Sequence, residues 1–286
     1  FMGDYGSNVS YFENTGDVNT PAFDVPQTNP FNILPNYNYG YFKRLAFSDF
    51  DNDGDLDIFM GQHFIIEYYE NSGTASAPAF KTPLNNPFGI SGFAYYTAPT
   101  LGDLDGDGDI DMLVGEQNVS DGFYTMNYYE NTGDATTPEF AARVSNPFGM
   151  EEIDQMIIPE FADIDNDGDL DLFTGDRRGR IKFQENTGLV DDPAFKLKET
   201  NPLGLPNMSW SNSINFVDID GDGDKDVFIG DFEGGTLFFE NTGAIGEIKL
   251  EEPVVNPFGI PFHIDFYYEF EFADLDNDGD QDLTVG

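Results

Sequence analysis

Five stretches of this chain set aspartate at every second position across nine residues: DFDNDGDLD at 49–57, DLDGDGDID at 103–111, DIDNDGDLD at 163–171, DIDGDGDKD at 218–226 and DLDNDGDQD at 274–282. Numbered 1 to 9, every copy has Asp at 1, 3, 5, 7 and 9 and Gly at 6. The first loop holds Asp49, Asp51, Asp53, Asp55 and Asp57; the second holds Asp103, Asp105, Asp107, Asp109 and Asp111. The third holds Asp163, Asp165, Asp167, Asp169 and Asp171. The fourth holds Asp218, Asp220, Asp222, Asp224 and Asp226, and the fifth Asp274, Asp276, Asp278, Asp280 and Asp282. Two carboxylates about 5 Å apart repel by roughly 1–3 kcal/mol, depending on the effective dielectric. Several such pairs oppose a compact turn, and a bound hard cation reverses the sign.

Calcium takes about 6–8 oxygens, and an EF-hand loop draws them from positions 1, 3, 5 and 7, with glycine at 6 for the sharp turn. The alternation here reproduces that layout. Position 12, glutamate in an EF-hand, is instead Met60, Val114, Thr174, Ile229 and Val285, inside strand-like runs. Asp at position 9 then has to close the coordination shell. Magnesium keeps its waters and a tight octahedron, and transition metals recruit His or Cys, which the loops lack. One such turn would read as a solvated acidic turn. Five in register predict about five calcium ions, one per repeat.

The elements around the loops repeat in step. The first aspartates, Asp49, Asp103, Asp163, Asp218 and Asp274, are 54, 60, 55 and 56 residues apart. A second phrase follows each repeat: FENTG at 12–16, YENSG at 69–73, YENTG at 129–133, QENTG at 184–188 and FENTG at 239–243. A third, Asn-Pro-Phe-Gly or a close variant, begins at 29, 86, 146, 201 and 256. Self-similarity at a fixed period marks a repeat architecture. Each unit reads as about four short strands: an apolar run after the loop, an aromatic run closed by Asn-x-Gly, a run carrying Phe (PAF or PEF), and a run leading into the next loop. Asn-x-Gly suits a tight turn and Asn-Pro presets another. No helical period is present.

The expectation is an all-β chain, a β-propeller of five four-stranded blade-like repeats of about 57 residues; a β-solenoid is the competitor, with coils of about 20–30 residues. Residues 1–286 form one repeat domain, with units near 1–57, 58–111, 112–171, 172–226 and 227–282, and 283–286 starting the next. Because FMGDYGSNVSYFENTG at 1–16 aligns with FIGDFEGGTLFFENTG at 228–243, both ends supply the same apolar strand. That overlap favours an excerpt of a longer array over a five-bladed ring completed by the N-terminal strands.

The loop DxDxDGDxD, followed by an apolar run ending in Gly and an aromatic strand ending in Asn-x-Gly, resembles the FG-GAP and VCBS repeats, which include calcium-binding blades of integrin α-subunits and bacterial surface proteins. The resemblance covers essentially the whole chain. It implies side-chain ligands from Asp49, Asp51, Asp53, Asp57 and their equivalents, and a backbone carbonyl from Asp55 and its equivalents. Lys225 and Gln281 depart from the Leu or Ile at position 8, and Lys225 sets a positive charge beside its loop.

Composition excludes some partners. With 54 acidic and 12 basic residues, a net charge of −42 opposes nucleic acid and anionic membranes, both of which need a basic face. With no cysteine there are no disulfides or thiolate sites. No stretch reaches the ~18 apolar residues of a membrane span, and no signal peptide is visible. Most of the 29 Phe and 14 Tyr recur at fixed positions and read as packing. Trp210 stands outside the pattern and is the candidate ligand contact. Residues 115–131 lengthen one hairpin, the sequons at Asn8, Asn118 and Asn207 fall near chance, and His63 and His263 have no obvious catalytic partner in sequence.

The expected role is an extracellular or cell-surface calcium-binding module, structural, adhesive or scaffolding, without catalytic activity. Its partners would be calcium and surface glycans, other copies of itself or surface proteins, with no nucleic acid and no membrane insertion. A carbohydrate-binding lectin or polysaccharide-active enzyme, and a subunit of an extracellular filament, are the alternatives.

Overall fold

A computed structural model describes residues 8–33, 43–117, 123–134, 136–151, 158–176, 178–189, 191–208, 213–230, 235–243, 248–260 and 269–286. Trp210, His263 and Asn118 lie outside them. The chain enters with β1 (Ser10–Phe12) and β2 (Gln27–Thr28). A first complete sheet then follows: β3 (Arg44–Ser48), β4 (Asp57–Gly61), β5 (Ile66–Tyr69) and β6 (Leu84–Asn85). The second sheet is β7 (Tyr95–Gly102), β8 (Asp111–Gln117), β9 (Tyr124–Tyr129) and β10 (Val144–Ser145). The third is β11 (Ile158–Ala162), β12 (Asp171–Gly175), β13 (Ile181–Asn186) and β14 (Phe195–Thr200). The fourth is β15 (Ser213–Val217), β16 (Asp226–Gly230), β17 (Thr236–Phe239) and β18 (Val254–Val255), and the chain ends with β19 (Phe270–Ala273) and β20 (Asp282–Val285).

Each sheet is antiparallel, its strands in chain order from the first to the fourth. The fifth sheet is shared: its order is β19-β20-β1-β2, with Tyr11 opposite Thr284 and Phe12 opposite Leu283. The five leading strands pack in a closed circuit, β19 on β3, β3 on β7, β7 on β11, β11 on β15 and β15 on β19. The molecule is therefore a five-bladed β-propeller; blades are numbered below by the acidic loop they carry. The sequence favoured an excerpt of a longer array over a closed five-bladed ring, and the described strands form the ring. β20 takes the second place in the last blade and β1 the third, so the two ends together build one sheet.

Each second strand is almost wholly buried because both its faces are covered by neighbouring blades. Every residue of β4, β12 and β16 is buried. The spaces between blades are filled by aromatic rings, such as Phe173 against Phe216 at 4.3 Å and Phe228 against Phe272 at 4.5 Å between centroids. Such pairs add about 0.5–1.5 kcal/mol beyond their area.

The outer strands differ from the sequence expectation. The PAF or PEF phenylalanines Phe23, Phe80 and Phe140 make only single bridges, to Asn14, Asn71 and Asn131. The fourth strand forms later, beside Asn-Pro, and is two residues long in four blades; in the third blade Phe195 opens a six-residue β14. The cause is where the amides go. Phe23, Phe80, Phe140 and Phe195 donate their N–H to the carbonyls of Phe258, Phe31, Phe88 and Phe148 in the preceding blade. In the long hairpin, pairing extends to Gln117 opposite Tyr124. No helix among the described residues is long and apolar enough to cross a membrane.

Candidate metal centres in the acidic loops

Each acidic loop joins the first and second strands of its blade, and its backbone dictates two residue types. Position 4 has positive φ in every copy, at Asn52, Gly106, Asn166, Gly221 and Asn277 (φ 55–72°). Position 6 has φ of 96–99° at Gly54, Gly108, Gly168, Gly223 and Gly279. A Cβ on those position-6 glycines would meet nothing within 4 Å, so glycine is required there by conformation and not by space. Position 2 anchors the loop from below: Phe50, Leu104, Ile164, Ile219 and Leu275 are all buried.

The identical aspartates do different work. Position 1 accepts the amide of position 6 at 3.1–3.2 Å in all five copies, through Asp49, Asp103, Asp163, Asp218 and Asp274. Position 5 accepts the amide of position 7 at 3.0–3.2 Å, through Asp53, Asp107, Asp167, Asp222 and Asp278. Position 9 turns inward. Asp57, Asp111, Asp171, Asp226 and Asp282 are buried and accept the backbone amides of Asn71, Asn131, Asn186, Asn241 and Asn14 at 2.7–2.8 Å. Asp57, Asp111 and Asp282 also accept the hydroxyls of Tyr68, Tyr128 and Tyr11 at 2.7–2.8 Å. Each of these Asn side chains then accepts two amides of its own turn, as Asn71 does from Gly73 and Ala79. The recurrent Asn-x-Gly phrase is thus wired to the acidic loop, a coupling that the shared period of the two phrases carried but that sequence reasoning did not draw.

Carboxylate oxygens of positions 1, 3 and 5 gather within 4.8 Å in four loops: Asp49, Asp51 and Asp53; Asp163, Asp165 and Asp167; Asp218, Asp220 and Asp222; Asp274, Asp276 and Asp278. The second loop gathers Asp103, Asp105 and the ninth-position Asp111. Position 7 (Asp55, Asp109, Asp169, Asp224, Asp280) is outside each group. Every loop keeps a buried carboxylate oxygen without a hydrogen-bond partner: Oδ1 of Asp51 and Asp55, of Asp103, of Asp163 and Asp169, of Asp220 and Asp224, and of Asp280. Such atoms are rare in folded proteins. An oxygen-preferring cation satisfies them, so the donor set fits calcium.

The electrostatics agree. Burial, then the neighbouring aspartates, push Asp55, Asp169 and Asp280 up to about 6. Burial pushes Asp57, Asp111, Asp171, Asp226 and Asp282 up to about 7 against the pull of their hydrogen bonds. Lys225 at position 8 acts on Glu160 of the third blade, where its charge pulls the Glu160 carboxyl down against burial.

Comparison with known proteins adds a family. The model of the FG-GAP-like repeat matches residues 49–114, 103–174, 163–229 and 218–285. None of the curated proteins matches. Among solved structures, one titled for specific recognition of non-reducing terminal N-acetylglucosamine by an Agrocybe aegerita lectin is similar, at 17% identity and a TM-score of 0.43, over 96% of this chain and 69% of that one.

Proposed function

Since the chain belongs to the FG-GAP-like repeat family, we propose that it is a calcium-binding β-propeller that acts outside the cell as a structural, adhesive or scaffolding module. The observation that carries the reading is the recurrence, in all five blades, of three gathered carboxylates with buried oxygens left without partners. Positions 1, 3 and 5 would hold the ion through their side chains. Position 7 would contribute its carbonyl, and position 9 would contribute where it reaches the group, as Asp111 does. When bound, the ion supplies positive charge that offsets the repulsion among the gathered carboxylates.

Extracellular calcium modules bind at about 10⁻⁴–10⁻³ M. At ten to a hundred times the dissociation constant, each site adds roughly 1.4–2.7 kcal/mol. Five sites add about 7–14 kcal/mol, comparable with a domain's whole stability of about 5–15 kcal/mol. Calcium would then decide whether the ring is folded, which suits a calcium-rich exterior. Surface glycans, surface proteins or further copies of the chain are the partners proposed for the outer face.

The test is thermal unfolding at fixed ionic strength in calcium, in magnesium and in chelator. A midpoint raised specifically by calcium is the expected result. Equal midpoints in all three would remove the calcium reading and the main support for an extracellular site of action.

A further inference from the structure

The leading strands of the five blades place equivalent residues around the axis, and these positions do not repeat. Two residues before the partner of loop position 9, the ring carries Ala46, Thr100, Glu160, Asn215 and Glu271. Two residues earlier still it carries Arg44 of the first blade and Glu269 of the fifth. That second layer is neutralised within the chain: the Arg44 guanidinium donates to Glu269 and, at 3.0 Å, to the carbonyl of Tyr96.

The layer of Glu160 and Glu271 is not balanced in that way. Asn215 Nδ2 donates to Glu271 Oε2 at 3.2 Å, and the same amide acts on Glu160. Glu160 belongs to the third blade and Glu271 to the fifth, with the fourth between them. Two such residues meet only across the axis, and each carboxyl is pushed up by burial, Glu271 further by Glu160 and Glu269. Lys225 offsets the charge of Glu160. Among the described residues, the charges that act on Glu271 are the acidic Glu160 and Glu269. Asn215 is 4% exposed, and its Oδ1, on the amide that binds these carboxylates, is buried without a hydrogen-bond partner. A buried acceptor and two facing carboxylates are a costly set unless something positive lies between them. All the donors are hard oxygens, which suits a calcium-like ion and neither a soft metal nor an organic cation, since no aromatic ring shares the layer. Both glutamates remain partly exposed, so an ion has access.

We propose that Glu160, Glu271 and the Asn215 side-chain oxygen hold a sixth divalent cation on the propeller axis, separate from the five loops, which ties the third, fourth and fifth blades together.

The experiment counts calcium bound per chain by equilibrium dialysis of the full chain at neutral pH. Six per chain are expected for the wild type and five for the E160Q/E271Q variant, with unchanged circular dichroism. An equal count in the two folded proteins would overturn the proposal. So would a variant that gains the same midpoint in calcium and in chelator at an unchanged count, because the pair would then hold a shared proton. Should the double variant fail to fold, wild-type crystals grown in manganese decide. Anomalous density between Glu160 and Glu271 is expected, and density in the loops alone overturns the site. If the loops bind nothing and the axis does, the count falls to one. That result removes the loop reading and leaves this one standing.

Discussion

Asp53 and Asp57 sit four residues apart in one loop and are indistinguishable by type, yet substitution should separate them. Asp57 is buried and accepts from Tyr68 and from the amide of Asn71. Asp57→Ala leaves both donors unpaired and should cost about 3–6 kcal/mol, since hydrogen bonds to charged groups contribute about 1.5–3 kcal/mol each. That loss should appear in denaturant titrations with calcium and with chelator alike. Asp53 is exposed, and Asp53→Asn should lower stability in calcium, where a ligand is lost, but not in chelator, where it removes one of the repelling charges. Equal effects of Asp53→Asn in both media would exclude it as a ligand. The alternating pattern of these loops was legible because ligand spacing is local. The division of labour was not, because what distinguishes position 9 is a bond to a turn 14 residues away.

Acidity provides a second check at this scale. Asp55 and Asp57 ionise near 6 and 7 in the fold against 3.8 for the unperturbed group. Between those values the metal-free fold holds more protons than the unfolded chain. Its stability from these groups is therefore full below about pH 4 and declines as pH rises through 6 and 7. The charge of a calcium ion in the loop favours the ionised form of these neighbouring carboxyls, so the midpoint difference between calcium and chelator should widen from pH 5 to pH 8. A difference that stays constant over that interval would mean that no ion charge lies close enough to act on these carboxyls.

Among the elements, the Asn-Pro-Phe-Gly turn shows what a short phrase does and does not reveal. Its Asn residues adopt left-handed φ of 45–51° and accept, through Oδ1 at 2.8–3.1 Å, an amide of the third strand or, for Asn29, that of Val9 just before it. Asn tolerates that conformation better than other non-glycine residues. Asn146→Ala should cost about 1–3 kcal/mol by combining left-handed strain with a lost acceptor. Asn146→Gly keeps the backbone and loses only the acceptor, so it should cost roughly half as much. If chemical denaturation shows the two substitutions to be equal, the backbone contributes nothing. A turn was readable from Pro alone. The left-handed Phe31, Phe88, Phe148 and Phe258 that follow (φ 52–57°) were not. A bulky residue takes that conformation here because its carbonyl serves the next blade, and no local pattern encodes a neighbour. For the same reason the PAF run read as a strand although its amide leaves the sheet.

Over the whole molecule, five equal units look alike in sequence whether they stack in an open array or close in a ring. The period revealed the blade, and only the circuit of leading strands revealed closure. The seam between β1 and β20 is then a blade like any other, and this is testable. Phe12 lies on the seam strand β1, and Phe239 occupies the corresponding place before the Asn-x-Gly turn of the continuous fourth blade. Both are buried, at 2% and 4% exposure. Phe→Ala in a core costs about 3–5 kcal/mol. In a closed ring each blade supports two neighbours, so Phe12→Ala and Phe239→Ala should each lower one shared unfolding transition by a similar amount. In an open array, units at the ends have one neighbour and unfold first. Phe12→Ala would then produce an early, partial transition while Phe239→Ala lowered the main one. Calorimetry of both variants in calcium separates the cases, and the seam counts as closed only if the two traces keep a single peak.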